Sequence, residues 1–338
     1  MSVVTRVAGG FRTRVIPRQA PIKTFARSLS SQPIAVNVSS EEVTQGRLTG
    51  KNLELATRAI HRDGLVVLEN VIEHNRLDEL NAKMLEDART LQNAGDDSPY
   101  NYNKGNIQQD PPLTEQYFDP SILLNPLATQ VTSTVLGPGP RLSFISGNTA
   151  LPPTPDSPPQ SQPVHSDADF DHPNCPFALV VNIPLVDMYL ENGSTEVWLG
   201  THHLASLAAQ EGKHGERASG RIKKDLLENR ALERPPSQPT VKKGSLVIRD
   251  LRLWHAGKPN LSDSARVMLA LIHFAPWFRN AMQVEFSEKL RPTLRAYGKG
   301  LQIQSLFMPD EEIQERYLNH GFGNAYDFDQ QDKLAEQI

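Results

Sequence analysis

The sequence predicts a mainly β fold, a jelly-roll barrel decorated by helices. Short apolar segments in the middle of the chain are separated by turn residues, which is typical of consecutive strands. Segments with helical periodicity lie mainly towards the two ends of the chain. Because the short strands are grouped together and the helices lie mainly outside them, the pattern favours a jelly roll.

The N-terminal half of the chain contains most of the predicted helices. Apolar residues near one face of residues 71–92, among them Leu77, Leu80 and Met84, indicate an amphipathic helix. A polar loop rich in Asn, Asp, Gly and Gln follows at residues 93–112, and it contains Tyr102. The other elements predicted in this half are helices over residues 53–61 and 125–136, and strands over residues 65–68 and 141–149.

The C-terminal half contains most of the predicted strands. Residues 177–185 form a nearly continuous apolar run, which indicates a buried strand. Further strands are predicted over residues 195–199, 245–248 and 267–274. A charged and partly helical insertion is predicted over residues 204–239, and helical segments after residue 278, the last over residues 306–318.

The length and composition are typical of a globular protein with one large domain or two small ones, and we predict a single domain over residues 41–338. Hydrophobic residues make up 38% and charged residues 22% of the 338 residues, enough for a sizeable core. The formal net charge of −4 gives no indication of a nucleic-acid partner. No apolar run is long enough for a membrane span, and the single Cys175 excludes an internal disulfide framework. No pattern in the sequence specifies an oligomeric state.

The first 40 residues differ in composition from the rest of the chain. They contain six basic residues and no Asp or Glu. Val3, Val7, Phe11 and Val15 recur at helical spacing beside the arginines. An amphipathic, Arg-rich and acid-free leader is typical of a mitochondrial transit peptide, so we expect a mitochondrial address. The alternative is a disordered basic tail that carries no address, on a cytoplasmic protein.

Residues 165–167 read His-Ser-Asp and are the first candidate for metal binding. Side chains two residues apart on an extended chain point to the same face, so His165 and Asp167 can bind one ion together. With 10 histidines in the chain, an accidental His-Asp pair on the surface explains this triplet equally well. One imidazole and one carboxylate leave an ion short of ligands, so a third ligand has to come from elsewhere.

That third ligand is visible downstream, at His255. It follows the predicted strand 245–248 by a few residues and precedes an Ala-Gly-Lys-Pro-Asn turn. A second histidine completes the facial triad of non-haem iron(II) oxygenases, which leaves three coordination positions open for co-substrate and oxygen. Arg266 begins the next apolar strand, where its guanidinium can pair with the far carboxylate of a dicarboxylic acid that chelates the metal. For Arg266 alone, the alternative is a solvated arginine at a strand end.

These motifs, in this order, resemble the phytanoyl-CoA dioxygenase family of iron(II)- and 2-oxoglutarate-dependent oxygenases. The motifs are His165-Ser166-Asp167, Glu-Asn-Gly-Ser-Thr over residues 191–195, Gly200-Thr201-His202, and Trp-His-Ala-Gly-Lys-Pro-Asn over residues 254–260 with Arg266 eleven residues after the histidine. The resemblance covers roughly residues 64–277. It implies a double-stranded β-helix, the cupin-like form of the jelly roll, with flanking helices.

The resemblance also assigns roles to individual residues. The residues that it implies as ligands of iron(II) are His165, Asp167 and His255. Arg266 is implied as the residue that binds the tail of 2-oxoglutarate. Some relatives carry a hydroxyl residue two places after the second histidine, where this chain has Gly257, so we expect the second hydrogen bond to 2-oxoglutarate from elsewhere, with Thr195 as the candidate. The candidates for substrate contacts are Tyr102, Trp198 and Trp254.

An enzyme of this family oxidises its substrate with molecular oxygen and releases succinate and carbon dioxide. The intact Asp167 indicates hydroxylation or desaturation rather than halogenation, since the family halogenases free that position for halide. We predict a small organic metabolite as the substrate. One alternative is an acyl-CoA ester, and another is a cupin-like metal-binding protein without turnover. The basic residues of the insertion could dock a CoA ester or could form a solvated helix face; they are Lys213, Arg217, Arg221, Lys223 and Lys224.

Overall fold

The computed structural model describes residues 30–212 and 220–319, so residues 1–29 of the predicted leader lie outside it. The helices are α1 Ser40–Gln45, α2 Gly50–Asp63, α3 His74–Gln92, α4 Pro120–Leu123, α5 Pro126–Leu136, α6 Lys224–Glu233, α7 Arg291–Tyr297 and α8 Asp310–Arg316. The strands are β1 Ile34–Asn37, β2 Leu65–Glu69, β3 Asn106–Gln109, β4 Arg141–Ala150, β5 Ala178–Pro184, β6 Glu196–Val197, β7 Gln210–Glu211, β8 Arg221–Ile222, β9 Leu246–Asp250, β10 His255–Ala256, β11 Arg266–Phe274, β12 Val284–Ser287, β13 Gln302–Ile303 and β14 Ser305–Met308.

Eight of these strands form a major sheet. Their order is β1, β2, β9, β5, β11, β4 and β13, with β3 also paired to β4. Most neighbours are antiparallel, whereas β1 joins β2 and β13 joins β4 in parallel. β3 pairs with residues 147–150 of β4, and β13 pairs with residues 141–142. Within the described residues the sheet does not close into a barrel.

A smaller sheet, the minor sheet, faces the inner side of the major sheet. It contains β7, β8, β10 and β6, and His165 pairs with Arg221 of β8 on one side and with His255 of β10 on the other. Side chains of both sheets line a cavity between them, including Val67 and Met268 from the major sheet and Val197 opposite. Two facing sheets with helices outside them confirm the predicted double-stranded β-helix, although as open sheets rather than a closed barrel.

Strand β2 shows why the central strands are apolar on both faces. Leu65 and Val67 pack towards the cavity with Val197 of the minor sheet. Val66 and Leu68 pack in the main core beneath the helices. Successive side chains of a strand point to opposite faces, so a sheet that is covered on both sides needs an unbroken apolar run. This explains the pattern that predicted buried strands here and at β5.

The helices α2 and α5 cover the outer face of the major sheet, and polar caps begin both. Thr49 accepts a hydrogen bond from the N–H of Asn52 at the start of α2. Asn125 accepts from the N–H groups of Leu127 and Ala128 at the start of α5. Such caps satisfy N–H groups that have no partner within the helix. The predicted helices over residues 53–61 and 125–136 are thus confirmed. No helix in the described ranges has the length and apolar character needed to cross a bilayer.

Three regions differ from the sequence predictions. The predicted loop over residues 93–112 contains β3, and residues 34–37 of the predicted leader form β1. Residues 305–308 form β14, so the predicted helix over residues 306–318 was wrong at its start, and α8 begins only at Asp310. The helical segments predicted after residue 278 also include β12 and β13. Short apolar runs do not distinguish strand from helix, and pairing of β14 with β12 decides the outcome here.

The predicted insertion over residues 204–239 is partly helical, as expected. Its described residues contain the paired strands β7 and β8 and the helix α6. Leu226, Leu227 and Ala231 of α6 pack against a small cluster on the outer face of the minor sheet. Lys213 and Arg217, two of the basic residues considered for CoA docking, lie outside the described residues.

His273 on β11 is a buried titratable group that makes stability depend on pH. Its Nδ1 lies 2.8 Å from Oγ1 of Thr132 on α5, and both side chains are buried. Burial lowers the pKa of His273 from 6.5 to about 4. Between these two values the unfolded chain binds a proton that the folded protein does not bind. The free energy of unfolding therefore falls as the pH falls from 7 to 4.

We expect the His273→Asn variant to lose less stability than the wild type on acidification. Asparagine keeps a polar atom near the position of Nδ1 and does not titrate in this range. The pH-dependent contribution of His273, complete near pH 4, is about 3 kcal/mol. Urea unfolding of both proteins at pH 7 and pH 5 measures the difference. The prediction fails if both proteins lose the same free energy of unfolding between these pH values.

Candidate active site

The three predicted metal ligands come together in the minor sheet. His165 and His255 exchange both backbone hydrogen bonds, with N–O distances of 2.9 and 3.0 Å. Side chains of directly opposed residues share one face, and the two ring centroids are 4.3 Å apart. Oδ1 of Asp167 lies 3.6 Å from Nε2 of His165 and 3.7 Å from Nε2 of His255. One ligand atom from each residue lies within 4.8 Å of the others, which suits a single metal ion.

The backbone fixes the tautomer of both histidines. Nδ1 of His165 donates to the carbonyl of Pro163 at 2.9 Å, and Nδ1 of His255 donates to the carbonyl of Leu253 at 2.9 Å. Because Nδ1 carries the proton in each ring, each Nε2 is unprotonated. Its lone pair, on the side of Asp167, is therefore available to a metal ion. A hydrogen bond to the second ring nitrogen is the usual way in which a protein orients a histidine ligand.

The charge states of the ligands also suit a metal. Burial and the nearby Arg249 guanidinium hold the pKa of His255 well below its usual value, so this imidazole is neutral. Burial alone would raise the pKa of Asp167, but Arg249 and the two histidines hold it well below the usual range. Metal ligation requires neutral imidazole and ionised carboxylate, and these shifts favour both forms.

A short turn between β9 and β10 positions His255. The buried Arg252 donates to both carboxylate oxygens of Asp250, each at 2.8 Å, and closes the turn. Thr201 accepts from the N–H of Trp254 at 3.0 Å and donates to the carbonyl of Trp198 at 2.7 Å. The Gly-Thr-His motif therefore ties the end of β6 to the residue before the ligand. This structural link accounts for the presence of the motif.

Arg266 lies at the start of β11 with its side chain only 1% exposed. Its Nη2 donates to the carbonyl of Gly193 at 3.0 Å. Its Nε and Nη1 have no hydrogen-bond partner among the described residues. Burial lowers the pKa of Arg266 to about 10, so the guanidinium stays charged at neutral pH. A buried cation with two unpaired donors fits a carboxylate ligand, as predicted for the tail of 2-oxoglutarate.

Gly193 explains the turn in the Glu-Asn-Gly-Ser-Thr motif. Its φ is +76°, which favours glycine, and a Cβ there would lie 2.5 Å from the carbonyl oxygen of Lys258. Only glycine lets this turn approach the loop that follows β10. The same close approach brings the carbonyl of Gly193 to the Arg266 guanidinium.

Gln162 fills the space beside Gly257, the position at which some relatives carry a hydroxyl residue. A Cβ on Gly257 would lie 2.6 Å from Oε1 of Gln162. That oxygen accepts from the N–H of Gly257 at 2.9 Å. The structure thus explains the absence of a side chain at residue 257. Thr195, the predicted source of the second hydrogen bond, lines the interior cavity beside Met268.

The three residues predicted to contact the substrate lie in two different places. Tyr102 lies beside the ligands, with its ring centroid 4.9 Å from that of His165, and burial and the charge of Asp167 raise its pKa. Trp198 and Trp254 instead pack together in a buried cluster that α6 covers. Strand alternation is the reason, since Val197 faces the cavity and its neighbour Trp198 faces outward. The two tryptophans therefore have a packing role in place of the predicted substrate contact.

Arg249 is a site residue that the sequence analysis missed. It lies on β9, and its Nη2 donates to Oδ2 of Asp167 at 2.6 Å. The apolar run that predicted this strand ends at residue 248, so no role was predicted for Arg249. An arginine within an apolar strand was the available signal, because a buried cation needs a partner.

The fold and these ligands together define a class of protein. Two imidazoles and one carboxylate converge inside a jelly roll, and a buried arginine has donors available for a carboxylate. This donor set is the facial triad that suits non-haem iron(II), with coordination positions left open. The site therefore fits iron together with a chelating acid such as 2-oxoglutarate.

The phytanoyl-CoA dioxygenase family model matches residues 60–268. This match spans more than half of the chain, and the protein belongs to the phytanoyl-CoA dioxygenase family. Family membership and the triad make it a 2-oxoglutarate-dependent, non-haem iron dioxygenase.

Solved structures with a similar fold include the epimerase SnoN in complex with Fe³⁺, alpha-ketoglutarate and nogalamycin RO. The two chains are 18% identical with a TM-score of 0.50, over 67% of this chain and 84% of SnoN. The carbocyclase SnoK matches with 18% identity and a TM-score of 0.49, over 67% of this chain and 84% of SnoK. The non-haem monooxygenase ThoJ matches with 21% identity and a TM-score of 0.46, over 66% of this chain and 78% of ThoJ. The SnoN match supports the same fold.

Proposed function

We propose that the protein hydroxylates or desaturates a small organic metabolite with iron(II), 2-oxoglutarate and oxygen, and releases succinate and carbon dioxide. The observation that carries this proposal is the His165-Asp167-His255 cluster, whose ligand atoms lie within 4.8 Å of one another. When bound there, iron and 2-oxoglutarate would supply the oxidising power to break a C–H bond. The protein itself supplies the ligands, the carboxylate anchor and a site shielded from water.

Arg266 is the proposed anchor for the distal carboxylate of 2-oxoglutarate. Alternation along β11 places Arg266 on the same face as Met268, which lines the cavity. The Nε and Nη1 donors are buried and have no partner among the described residues, so the guanidinium can still donate to a carboxylate. Thr195 lines the same cavity and is the proposed second donor to the co-substrate.

The interior cavity borders the site through Arg249, which contacts Asp167, and the wall of the cavity is mainly apolar. Its apolar residues are Leu65, Val67, Met188, Val197, Val241, Val247 and Met268. Tyr102 adds a ring next to His165, and we propose that it contacts the substrate. A mainly apolar wall behind Arg249 excludes water from that side of the site.

The described basic residues of the insertion give little support to an acyl-CoA substrate. Lys224 lies 3.5 Å from Glu228 with 89% of its side chain exposed, and Lys223 donates to the carbonyl of Ala208 at 2.8 Å. Of these residues, Arg221 is the one whose backbone pairs with His165, beside the ligands. A CoA ester would need several cations at the opening of the site, so we favour a smaller substrate.

The test is succinate release from the iron-loaded enzyme with a panel of neutral metabolites, free acids and CoA esters. We expect the highest turnover with a neutral metabolite or a free acid. Arg221→Ala and the matched surface variant Lys224→Ala should then have similar turnover with the best substrate. Turnover restricted to CoA esters and lost in Arg221→Ala, but retained in Lys224→Ala, would instead establish the acyl-CoA alternative.

A further inference from the structure

Arg249 belongs to a chain of hydrogen bonds that ends at the metal ligand Asp167. Its side chain is buried, and its Nε donates to Oδ1 of Asn182 on the neighbouring strand β5 at 3.2 Å. Asn182 in turn donates to the carbonyl of Leu269 on β11 at 3.2 Å. Three adjacent strands of the major sheet thus hold the guanidinium in place. The remaining contact is from Nη2 to Asp167.

The two oxygens of Asp167 consequently have different surroundings. Oδ2 accepts the charged hydrogen bond from Arg249 at 2.6 Å. Oδ1 faces Nε2 of His165 and Nε2 of His255, at 3.6 and 3.7 Å. Hydrogen bonds between charged groups are short and strong, so Oδ2 is committed to Arg249. A metal ion between the histidines is left with Oδ1 alone.

We propose that Arg249 is a positioning residue that restricts Asp167 to one-oxygen ligation and so keeps one metal position free for oxygen. This proposal rests on the proposed function. Carboxylates bind metals through one oxygen or two. In six-coordinate iron, the triad takes about three positions and a chelating keto acid takes about two. If Asp167 bound through both oxygens, the last position would be filled.

The proposal differs from a purely electrostatic role for Arg249. A cation next to the site disfavours a bound metal ion, so its removal should strengthen metal binding under either explanation. Only the positioning role predicts a change in the number of open coordination positions. That number can be measured without turnover, as the number of water molecules on bound Mn²⁺.

The experiment is water-proton relaxation of the Mn²⁺-loaded protein, with Arg249→Met compared with Arg249→Lys. Methionine fills similar space and cannot donate, whereas lysine keeps a charged donor near Oδ2. We expect about three waters on Mn²⁺ in the wild type and in Arg249→Lys, and about two in Arg249→Met. The relaxation enhancement per bound ion should therefore fall by about a third in Arg249→Met. Circular dichroism and urea unfolding check that each variant is folded.

An unchanged water number in folded Arg249→Met, even with tighter Mn²⁺ binding, would overturn the proposal. So would a loss of water in Arg249→Lys equal to that in Arg249→Met. The outcome is separate from that of the proposed function, because no 2-oxoglutarate is present. A wild type that binds Mn²⁺ with three waters but releases none on addition of 2-oxoglutarate would defeat the proposed function. In that case the Arg249→Met comparison would still decide the role of Arg249.

Discussion

The Asp167→Ala variant is expected to lose iron binding and to lose oxygenase turnover by more than 100-fold. Asp167 is the one anionic ligand, and even residues that only orient a metal ligand typically affect affinity or activity about 10–100-fold. The readout is the weak visible charge-transfer band that forms when iron(II) and 2-oxoglutarate are added without oxygen. We expect the band with wild type and no band with Asp167→Ala.

Asp167→Asn is the matched control for this variant. Alanine leaves Nη2 of Arg249 without its partner, and breaking such a pair costs about 3 kcal/mol of stability. Asparagine can still accept from Arg249, so it should remain close to the wild type in urea unfolding while losing the anionic ligand. Loss of the band in a folded Asp167→Asn variant then reports on the metal site alone. If the wild type itself gives no band, the non-catalytic metal-binding alternative replaces the enzyme.

The Arg266→Ala variant is expected to bind iron almost normally and 2-oxoglutarate much more weakly. Loss of a buried charged pair costs about 2–5 kcal/mol, which corresponds to a weakening of about 30-fold to several thousand-fold. Arg266→Lys should be intermediate, because an ammonium keeps the charge but does not reproduce the planar, directed donors of a guanidinium. Anaerobic titration of the iron-loaded protein with 2-oxoglutarate, followed by the visible band, measures the affinity.

Two further measurements make the Arg266 experiment decisive. Removing the side chain leaves the carbonyl of Gly193 without its partner, so urea unfolding is needed to show that the variants are folded. Iron affinity measured without 2-oxoglutarate should change little, since Arg266 is not a metal ligand. An unchanged affinity for 2-oxoglutarate in Arg266→Ala would show that another residue binds the co-substrate.

The prediction of the metal ligands depended on local sequence patterns. His165 and Asp167 share a face of one extended segment, and His255 and Arg266 follow recognisable turn and strand signals. The candidate ligands were therefore accessible before any coordinates, together with the jelly-roll fold. The structure added the measured distances, the Nδ1 hydrogen bonds that fix the tautomers, and the unpaired donors of Arg266.

The residues that the sequence analysis missed or misplaced depend on contacts between distant segments. Arg249 meets Asp167 only because β9 lies beside β5 and opposite the minor sheet, 82 positions away along the chain. Gln162 fills the space next to Gly257 across a separation of 95 positions. Trp198 and Trp254 were candidates for substrate contacts, and the structure packs them together in a buried cluster. A shift of one residue in a strand reverses which face a side chain occupies, and composition does not specify that choice.

The sequence by itself therefore determined the jelly-roll fold, most of its central strands and the candidate metal ligands. These follow from interactions within a few residues, such as strand alternation, helix periodicity and turn chemistry. Only the tertiary structure decided which oxygen of Asp167 faces the histidines and which tryptophans are buried. It also decided that residues 305–308 form β14, paired with β12, and not the start of a helix. These outcomes depend on register and packing between segments far apart in the chain, where the free energy of burial outweighs local preference.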